Sequence, residues 1–124
     1  MNDTKPMVMV VDDDDTLRTM LVRVLAVHNF YSSDFGGAQD AVSFYKEHKD
    51  EVDIVLLDMI MPEMDGHDCF FALKKINPNV RVIVLSGYCD EQKLKKMLDG
   101  GVCATLTKPV PMRDLVDTLY THLA

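Results

Sequence analysis

The chain has 124 residues, 48% of them hydrophobic and 27% charged, which is typical of a globular protein, and we expect one domain over residues 1–124. Its formal net charge of −7 argues against direct contact with nucleic acid, which requires a basic patch. No apolar run approaches the roughly 20 residues of a membrane span, and the start of the chain lacks a secretory signal, so we expect a cytoplasmic protein without membrane contact.

Strand-like and helix-like segments alternate five times along the chain. The predicted strands are Met7–Val11, Phe30–Ser33, Asp53–Leu57, Arg81–Leu85 and Val102–Leu106. Most are continuous runs of Val, Ile and Leu, a pattern typical of strands that are covered on both faces in a parallel sheet.

Each predicted strand is followed by an apolar stripe at helical spacing. The stripes are Leu17, Leu21, Val24 and Leu25; Ala38, Ala41, Val42 and Tyr45; Phe70, Leu73 and Ile76; Leu94, Met97 and Leu98; and Met112, Leu115, Val116, Leu119 and Leu123. We interpret these side chains as core.

Residues that start or stop helices agree with this reading. Asp90 suits the cap of the fourth helix and Pro111 the first turn of the fifth. Asn77-Pro78 is expected to close the third helix, and Gly100-Gly101 the fourth. Five βα units therefore predict a doubly wound α/β fold with a five-stranded parallel sheet and five helices. Ligands of such folds bind at the carboxyl ends of the strands.

Polar residues that can bind a cation or a phosphoryl group follow four of these strands. Asp12 and Asp13 follow the first, Asp58 the third, Ser86 the fourth and Lys108 the fifth. Grouped carboxylates repel unless a cation lies among them, and Mg²⁺ prefers such oxygen ligands. Lysine and serine can contact phosphate oxygens. The set fits phosphoryl transfer onto a carboxylate, a reaction dominated by positioning and charge neutralisation.

Four short motifs occur here in order: "VVDDDD" at 10–15, "LLDMIMPEMDG" at 56–66, "LSG" at 85–87 and "TKP" at 107–109. Together they resemble the receiver domain of two-component response regulators over essentially the whole chain. The resemblance implies a flavodoxin-like fold with strand order 2-1-3-4-5. It also implies a signalling role without enzymatic action on a separate substrate.

The resemblance also implies a role for each acidic residue. Asp58 would accept a phosphoryl group from a sensor histidine kinase or a histidine phosphotransfer protein, and would then signal to an output protein. Asp12 and Asp13 would bind Mg²⁺ together with Asp58 and the backbone carbonyl of Ile60. We expect no output domain within these residues, whether the receiver stands alone or is part of a larger protein, and the output protein is therefore unidentified.

Further roles follow from the same resemblance. Ser86 and Lys108 would contact the phosphoryl oxygens, and Lys108-Pro109 would be a cis peptide. Asp65-Gly66 would help shape the loop after the acceptor. Thr105 takes a position that is commonly aromatic in this family, so the switch is expected to work through backbone shifts. Ile60 and Tyr88 flank the expected approach of water, and we expect slow loss of the phosphoryl group.

Three other functions compete with this one. Asp12, Asp14 and Thr16 also fit the DxDxT motif of haloacid dehalogenase-type phosphatases, but the acidic cluster that such enzymes carry after the lysine is lacking. "DDDDT" lacks the central Gly and terminal Glu of a calcium-binding EF-hand loop. A phosphorylation-independent interaction module is the third alternative.

The remaining candidates have structural interpretations. Asp14 and Asp15 are expected to cap the first helix and to face the positive end of its dipole. Cys69, Cys89 and Cys103 lack the spacing of a zinc site and are expected to be reduced. The four histidines show no metal-ligand spacing and receive no chemical role.

Overall fold

A strict alternation of strands and helices builds the chain. The structure, a computed structural model, describes residues 5–87 and 90–123, so the predictions for Tyr88 and Cys89 lie outside the described residues. The elements are β1 (Met7–Val11), α1 (Asp15–Val27), β2 (Tyr31–Phe35), α2 (Ala38–His48), β3 (Ile54–Asp58), α3 (Gly66–Ile76), β4 (Val82–Ser86), α4 (Glu91–Asp99), β5 (Ala104–Thr107) and α5 (Met112–Leu123).

The five strands form one parallel sheet in the order β2-β1-β3-β4-β5. This confirms the predicted doubly wound fold and the strand order that the resemblance implies. β1 has the predicted bounds, and the other strands begin one or two residues later than the apolar runs. The shift places Asp58 and Ser86 inside the sheet, as the last residues of β3 and β4.

Both faces of the sheet are covered by helices. Val8 and Val10 face the layer that contains α1 and α5, whereas Met9 and Val11 face the layer that contains α2, α3 and α4. The alternation follows from the two-residue period of a strand. Because all four side chains are fully buried, β1 needs apolar residues on both of its faces, which explains its unbroken apolar run.

The helix ends largely follow the predicted signals. Asp14 caps α1 by accepting hydrogen bonds from Thr16 N (3.0 Å) and Leu17 N (3.1 Å), and Asp90 caps α4 in the same way. α3 ends before Asn77, and α4 ends before Gly100. Pro111 precedes α5 instead of lying inside it, and its carbonyl accepts the hydrogen bond of Leu115 N.

No helix among the residues that the structure describes combines the length and the apolar character needed to cross a membrane. Burial raises the pKa of the Cys69 thiol to about 12, which keeps it protonated at neutral pH. Cys103 is half-buried, and both are free cysteines.

Candidate functional site

Three carboxylates meet at the carboxyl edge of the sheet. Asp12 follows β1, Asp13 is the next residue and Asp58 ends β3, and one oxygen from each lies within 4.8 Å of the others. Asp12 is fully buried, Asp58 is buried and Asp13 is exposed. Because carboxylates this close repel, and because hard oxygens are the preferred ligands of Mg²⁺, this donor set fits a divalent cation.

Lys108 reaches the same cluster from the segment after β5. Its Nζ lies 3.2 Å from Asp12 Oδ2 and 3.2 Å from Asp58 Oδ1. Burial opposes the charge of Lys108, but the charges of Asp58 and Asp12 and the hydrogen bonds to both outweigh burial and raise its pKa. Lys108 is therefore a protonated ammonium at neutral pH, held between two buried carboxylates.

The acceptor candidate has a different electrostatic balance. Burial and the neighbouring charge of Asp12 raise the pKa of the Asp58 carboxyl group, against the opposing effects of Lys108 and of a hydrogen bond from the Ile60 N–H. The ionised form of Asp58 is thus held at a cost in free energy. A cation or an electrophile that takes up its negative charge would relieve that cost.

Gly66 holds the loop that follows Asp58 against the strand. Its N–H donates a hydrogen bond of 2.8 Å to the carbonyl of Met59. A Cβ at this position would lie 2.4 Å from the Asp58 carbonyl oxygen, so only glycine permits the close approach. The loop brings the Ile60 backbone to the carboxylate, while the Ile60 side chain is 58% exposed.

Ser86 lies at the same edge, at the end of β4. It is buried, and its backbone carbonyl accepts a hydrogen bond of 2.7 Å from the Lys108 N–H. The Lys108-Pro109 peptide is cis, as the resemblance implies. The serine hydroxyl and the lysine ammonium thus come from adjacent strands to one edge of the sheet. Thr105 is exposed on β5, and β4 lies between that strand and β3, which carries Asp58.

Asp65 caps α3 and also joins it to α4. Its Oδ1 accepts a hydrogen bond from Asp68 N (2.9 Å), and its Oδ2 lies 2.7 Å from Lys93 Nζ. Burial opposes ionisation of Asp65, but the bond from Lys93 outweighs burial and lowers the pKa of the carboxyl group. His67 gathers with these two aspartates in a group that sequence spacing did not reveal. Since capping and Lys93 already use both oxygens of Asp65, we interpret the group as structural.

An apolar groove of about 340 Å³ begins at Lys108 and runs between α1 and the start of α5. Its lining includes Leu17, Met20, Val110 and Met112. These side chains supply no ligand for a cation or a phosphoryl group. The polar chemistry of this edge therefore lies with the acids, Ser86 and Lys108, beside the groove and not inside it.

The structure brings Asp12, Asp13, Asp58 and Lys108 into one cluster, with Ser86 at the same edge. Sequence reasoning missed two cations near this edge, Arg18 and Lys93. The spacing of three residues between Asp15 and Arg18 on one helix is the signal that could have revealed Arg18, since such residues are neighbours on a helix, and the ion pair is present at 2.6 Å. The Arg18–Asp34 and Lys93–Asp65 contacts join residues 16 and 28 positions apart, so no local pattern could reveal them. The bond from Arg18 to the Asp12 carbonyl spans six positions, and it depends on the path of the loop between β1 and α1.

Comparison with known proteins relates the chain to one family of signalling domains. A family model described as the response regulator receiver domain matches residues 8–120. The sensor kinase CckA of Brucella abortus is 30% identical over 116 residues, which cover 94% of this chain and 12% of CckA. The chain thus spans only a small part of this relative. The chemotaxis protein CheY of Halobacterium salinarum is 27% identical over 90% of this chain and 92% of its own length.

Solved structures agree with the family match. A response regulator receiver domain protein from Clostridium thermocellum superimposes with a TM-score of 0.90, at 25% identity, over 95% of this chain and 94% of the other. A CheX–CheY–BeF₃–Mg²⁺ complex from Borrelia burgdorferi gives a TM-score of 0.89 at 29% identity, over 96% of this chain and 90% of the other. Both are similar to this chain over nearly its whole length.

Proposed function

The chain belongs to the family of response regulator receiver domains, which are signalling domains of two-component systems, and from this premise we propose that Asp58 is its phosphoryl acceptor. The donor is a phosphohistidine on a sensor histidine kinase or a histidine phosphotransfer protein in the cytoplasm. One observation carries the proposal: Lys108 lies 3.2 Å from both Asp58 and Asp12 at the edge where Asp13 also lies.

The transfer exchanges one bond to phosphorus for another. An oxygen of the Asp58 carboxylate attacks the phosphorus, the P–N bond of the phosphohistidine breaks, and the departing imidazole takes a proton from solvent. The product is an acyl phosphate on Asp58, which later attack by water on phosphorus returns to carboxylate and inorganic phosphate. Asp58 suits this role because it is buried, oriented by the Ile60 N–H and already in contact with a cation.

The three aspartates and the Ile60 backbone carbonyl are the proposed Mg²⁺ ligands. When bound, Mg²⁺ neutralises charge that develops on the phosphoryl oxygens. The spacing of the carboxylate oxygens, within 4.8 Å, supports this proposal. The related Borrelia burgdorferi complex contains both Mg²⁺ and BeF₃, a tetrahedral mimic of a phosphoryl group.

Lys108 and Ser86 are the proposed contacts of the phosphoryl oxygens. Lys108 Nζ can exchange part of its contact with Asp58 for a phosphoryl oxygen without leaving Asp12, because ammonium has three donors. A new contact at Ser86 would pull on the end of β4, which also carries the carbonyl that binds Lys108 N. We propose that this shift signals to an output protein, without contact to nucleic acid or membrane.

The phosphatase alternative is not favoured by the observed geometry. In the DxDxT reading Asp14 would act in catalysis, but its carboxylate accepts the N–H groups of Thr16 and Leu17 at the helix start. Within the part of the chain that the structure describes, residues after Lys108 form α5 and no further strand.

Intact mass after incubation with acetyl phosphate and Mg²⁺ tests the assignment. We expect a single phosphoryl adduct on the wild type, none on Asp58→Asn and a full adduct on Asp53→Asn. Asp53 is a suitable control because it precedes the same strand at the opposite edge, where it accepts a hydrogen bond from Met7 N (2.8 Å) that asparagine can keep. An adduct of equal yield on Asp58→Asn would contradict the assignment. Repeated turnover of p-nitrophenyl phosphate would favour the phosphatase.

A further inference from the structure

Arg18 connects three separate parts of the molecule beside the acidic cluster. Its Nη1 donates to the backbone carbonyl of Asp12 at 2.7 Å, its Nε donates to Asp34 Oδ2 at 3.0 Å, and its Nη2 donates to Asp15 Oδ1 at 2.6 Å. The acceptors belong to the β1–α1 loop, to β2 and to the first turn of α1. We propose that Arg18 is a positioning residue that holds the loop so that Asp12 and Asp13 face Asp58. The inference rests on the proposed Mg²⁺ site.

Apart from the bond to Arg18, the hydrogen bond that holds the Asp12 backbone is the one from its N–H. Its N–H donates to the Phe35 carbonyl at 3.1 Å, and its side-chain oxygens accept from Asp14 N (2.9 Å) and Lys108 Nζ (3.2 Å). Arg18 is the partner of its carbonyl. Because Asp12 is fully buried, loss of Arg18 would leave that carbonyl to find another partner or to turn.

A turn of this carbonyl would move Asp13. The carbonyl of Asp12 and the N–H of Asp13 belong to one planar peptide group. Fixing the oxygen of that plane therefore fixes the direction in which the chain continues into Asp13. Because Asp13 is exposed, the hydrogen bond from Arg18 holds the backbone from which the Asp13 carboxylate extends.

Arginine is the residue that this geometry requires. Its planar guanidinium presents several N–H donors in a fixed fork, and three acceptors from three elements use that fork. A lysine in this position can supply a charge and bind the Asp12 carbonyl, but its donors sit on a single nitrogen and do not reproduce the spread of the fork, in which each of three nitrogens binds a different acceptor. The Arg18 side chain is 18% exposed, which is consistent with an internal clamp.

Through-space electrostatics makes the opposite prediction, which allows a clear test. A positive charge near a cation site opposes cation binding, so removing it should strengthen Mg²⁺ binding. If Arg18 positions the ligands, removing it should weaken Mg²⁺ binding instead. The sign of the change therefore separates the two effects.

The experiment is a Mg²⁺ titration without phosphodonor, carried out well below the unfolding temperature. Backbone amide chemical shifts report the binding of Mg²⁺. We expect Arg18→Met to bind Mg²⁺ about tenfold more weakly, the loss typical of a residue that orients metal ligands. The Mg²⁺ affinity of Arg18→Lys should lie between those of Arg18→Met and the wild type. Arg23→Met is the matched control, because Arg23 is exposed on the same helix, and it should bind as tightly as the wild type or slightly more tightly.

The outcomes separate this inference from the proposed function. Wild-type Mg²⁺ affinity in both Arg18 variants, or tighter binding in Arg18→Met, would overturn the positioning role while leaving the Mg²⁺ site intact. Failure of the wild type to bind Mg²⁺ would overturn the site itself and the inference with it. A purely structural role would lower the unfolding temperature without moving the Mg²⁺ midpoint. If Arg18→Met does not fold, Arg18→Lys decides the question.

Discussion

Replacing Lys108 with Met should destabilise the protein and at the same time strengthen its binding of Mg²⁺. The ammonium lies 3.2 Å from each of two carboxylates. At an effective dielectric near 20, each such pair is worth about 5 kcal/mol before desolvation. Removing one partner of a buried pair typically costs about 3–5 kcal/mol. Since the lysine side chain is 24% exposed, solvent screening reduces this, and we expect a loss of about 2–3 kcal/mol.

Thermal unfolding with a chelator measures this loss. For a chain of this size, we expect the midpoint to fall by about 8–12 °C. In the wild type, Lys108 has a higher pKa in the folded state than in the unfolded state, so its charge contributes to the free energy of unfolding. This contribution is fully present below the unfolded pKa of about 10.4, and it is lost as the pH rises through the folded pKa. The difference in unfolding midpoint between the wild type and Lys108→Met should therefore become smaller at strongly alkaline pH.

Mg²⁺ should recover more stability in Lys108→Met than in the wild type, because the cation then enters a cluster without a competing ammonium. Phosphoryl uptake from acetyl phosphate should nevertheless fall, since the proposed contact with the phosphoryl oxygens is gone. Lys95→Met, which removes an exposed lysine from α4, is the control and should change none of these quantities appreciably. Unchanged stability together with weaker Mg²⁺ binding in Lys108→Met would refute the reasoning.

Four further outcomes are expected. Asp13→Asn should weaken Mg²⁺ binding and raise the unfolding temperature without metal; an unchanged Mg²⁺ titration would contradict this. Asp58→Asn should be more stable than the wild type at pH 7 without metal, since burial raises the Asp58 pKa. This difference in stability should vanish at an acidic pH that protonates Asp58 in the wild type. Urea unfolding at pH 7 and at the acidic pH measures the difference. Ile60→Asn with Tyr88→Glu should speed loss of a radiolabelled phosphoryl group about tenfold. Equal decay rates in the double variant and the wild type would refute the idea that these two side chains keep water from the phosphoryl group. BeF₃ should shift backbone amide signals in residues 87–106; shifts that stay at the acidic edge and never reach those residues would refute a switch that works through backbone shifts.

Much of the fold could be predicted from short-range patterns. The unbroken apolar run at Met7–Val11 predicted a strand covered on both faces, and the structure gives that strand the same bounds. Asp14 and Asp90 marked the helix starts because capping involves N–H groups only two or three residues away. The strand ends were less well predicted, since Ser86 is a polar residue that joins the sheet through pairing with Thr107.

Which polar residues meet at the functional edge followed partly from the sequence, because parallel strands deliver their carboxyl ends to one side of a sheet. That rule placed Asp12, Asp58 and Lys108 at one edge without giving any contact among them. The contact between Lys108 and Asp12 joins residues 96 positions apart, and it depends on strand order and on where β5 ends. The Arg18 bond to Asp34 on β2 was likewise decided by tertiary structure. Helix and strand periods arise within a few residues, whereas these contacts exist only after the packed sheet has set the separation of its elements.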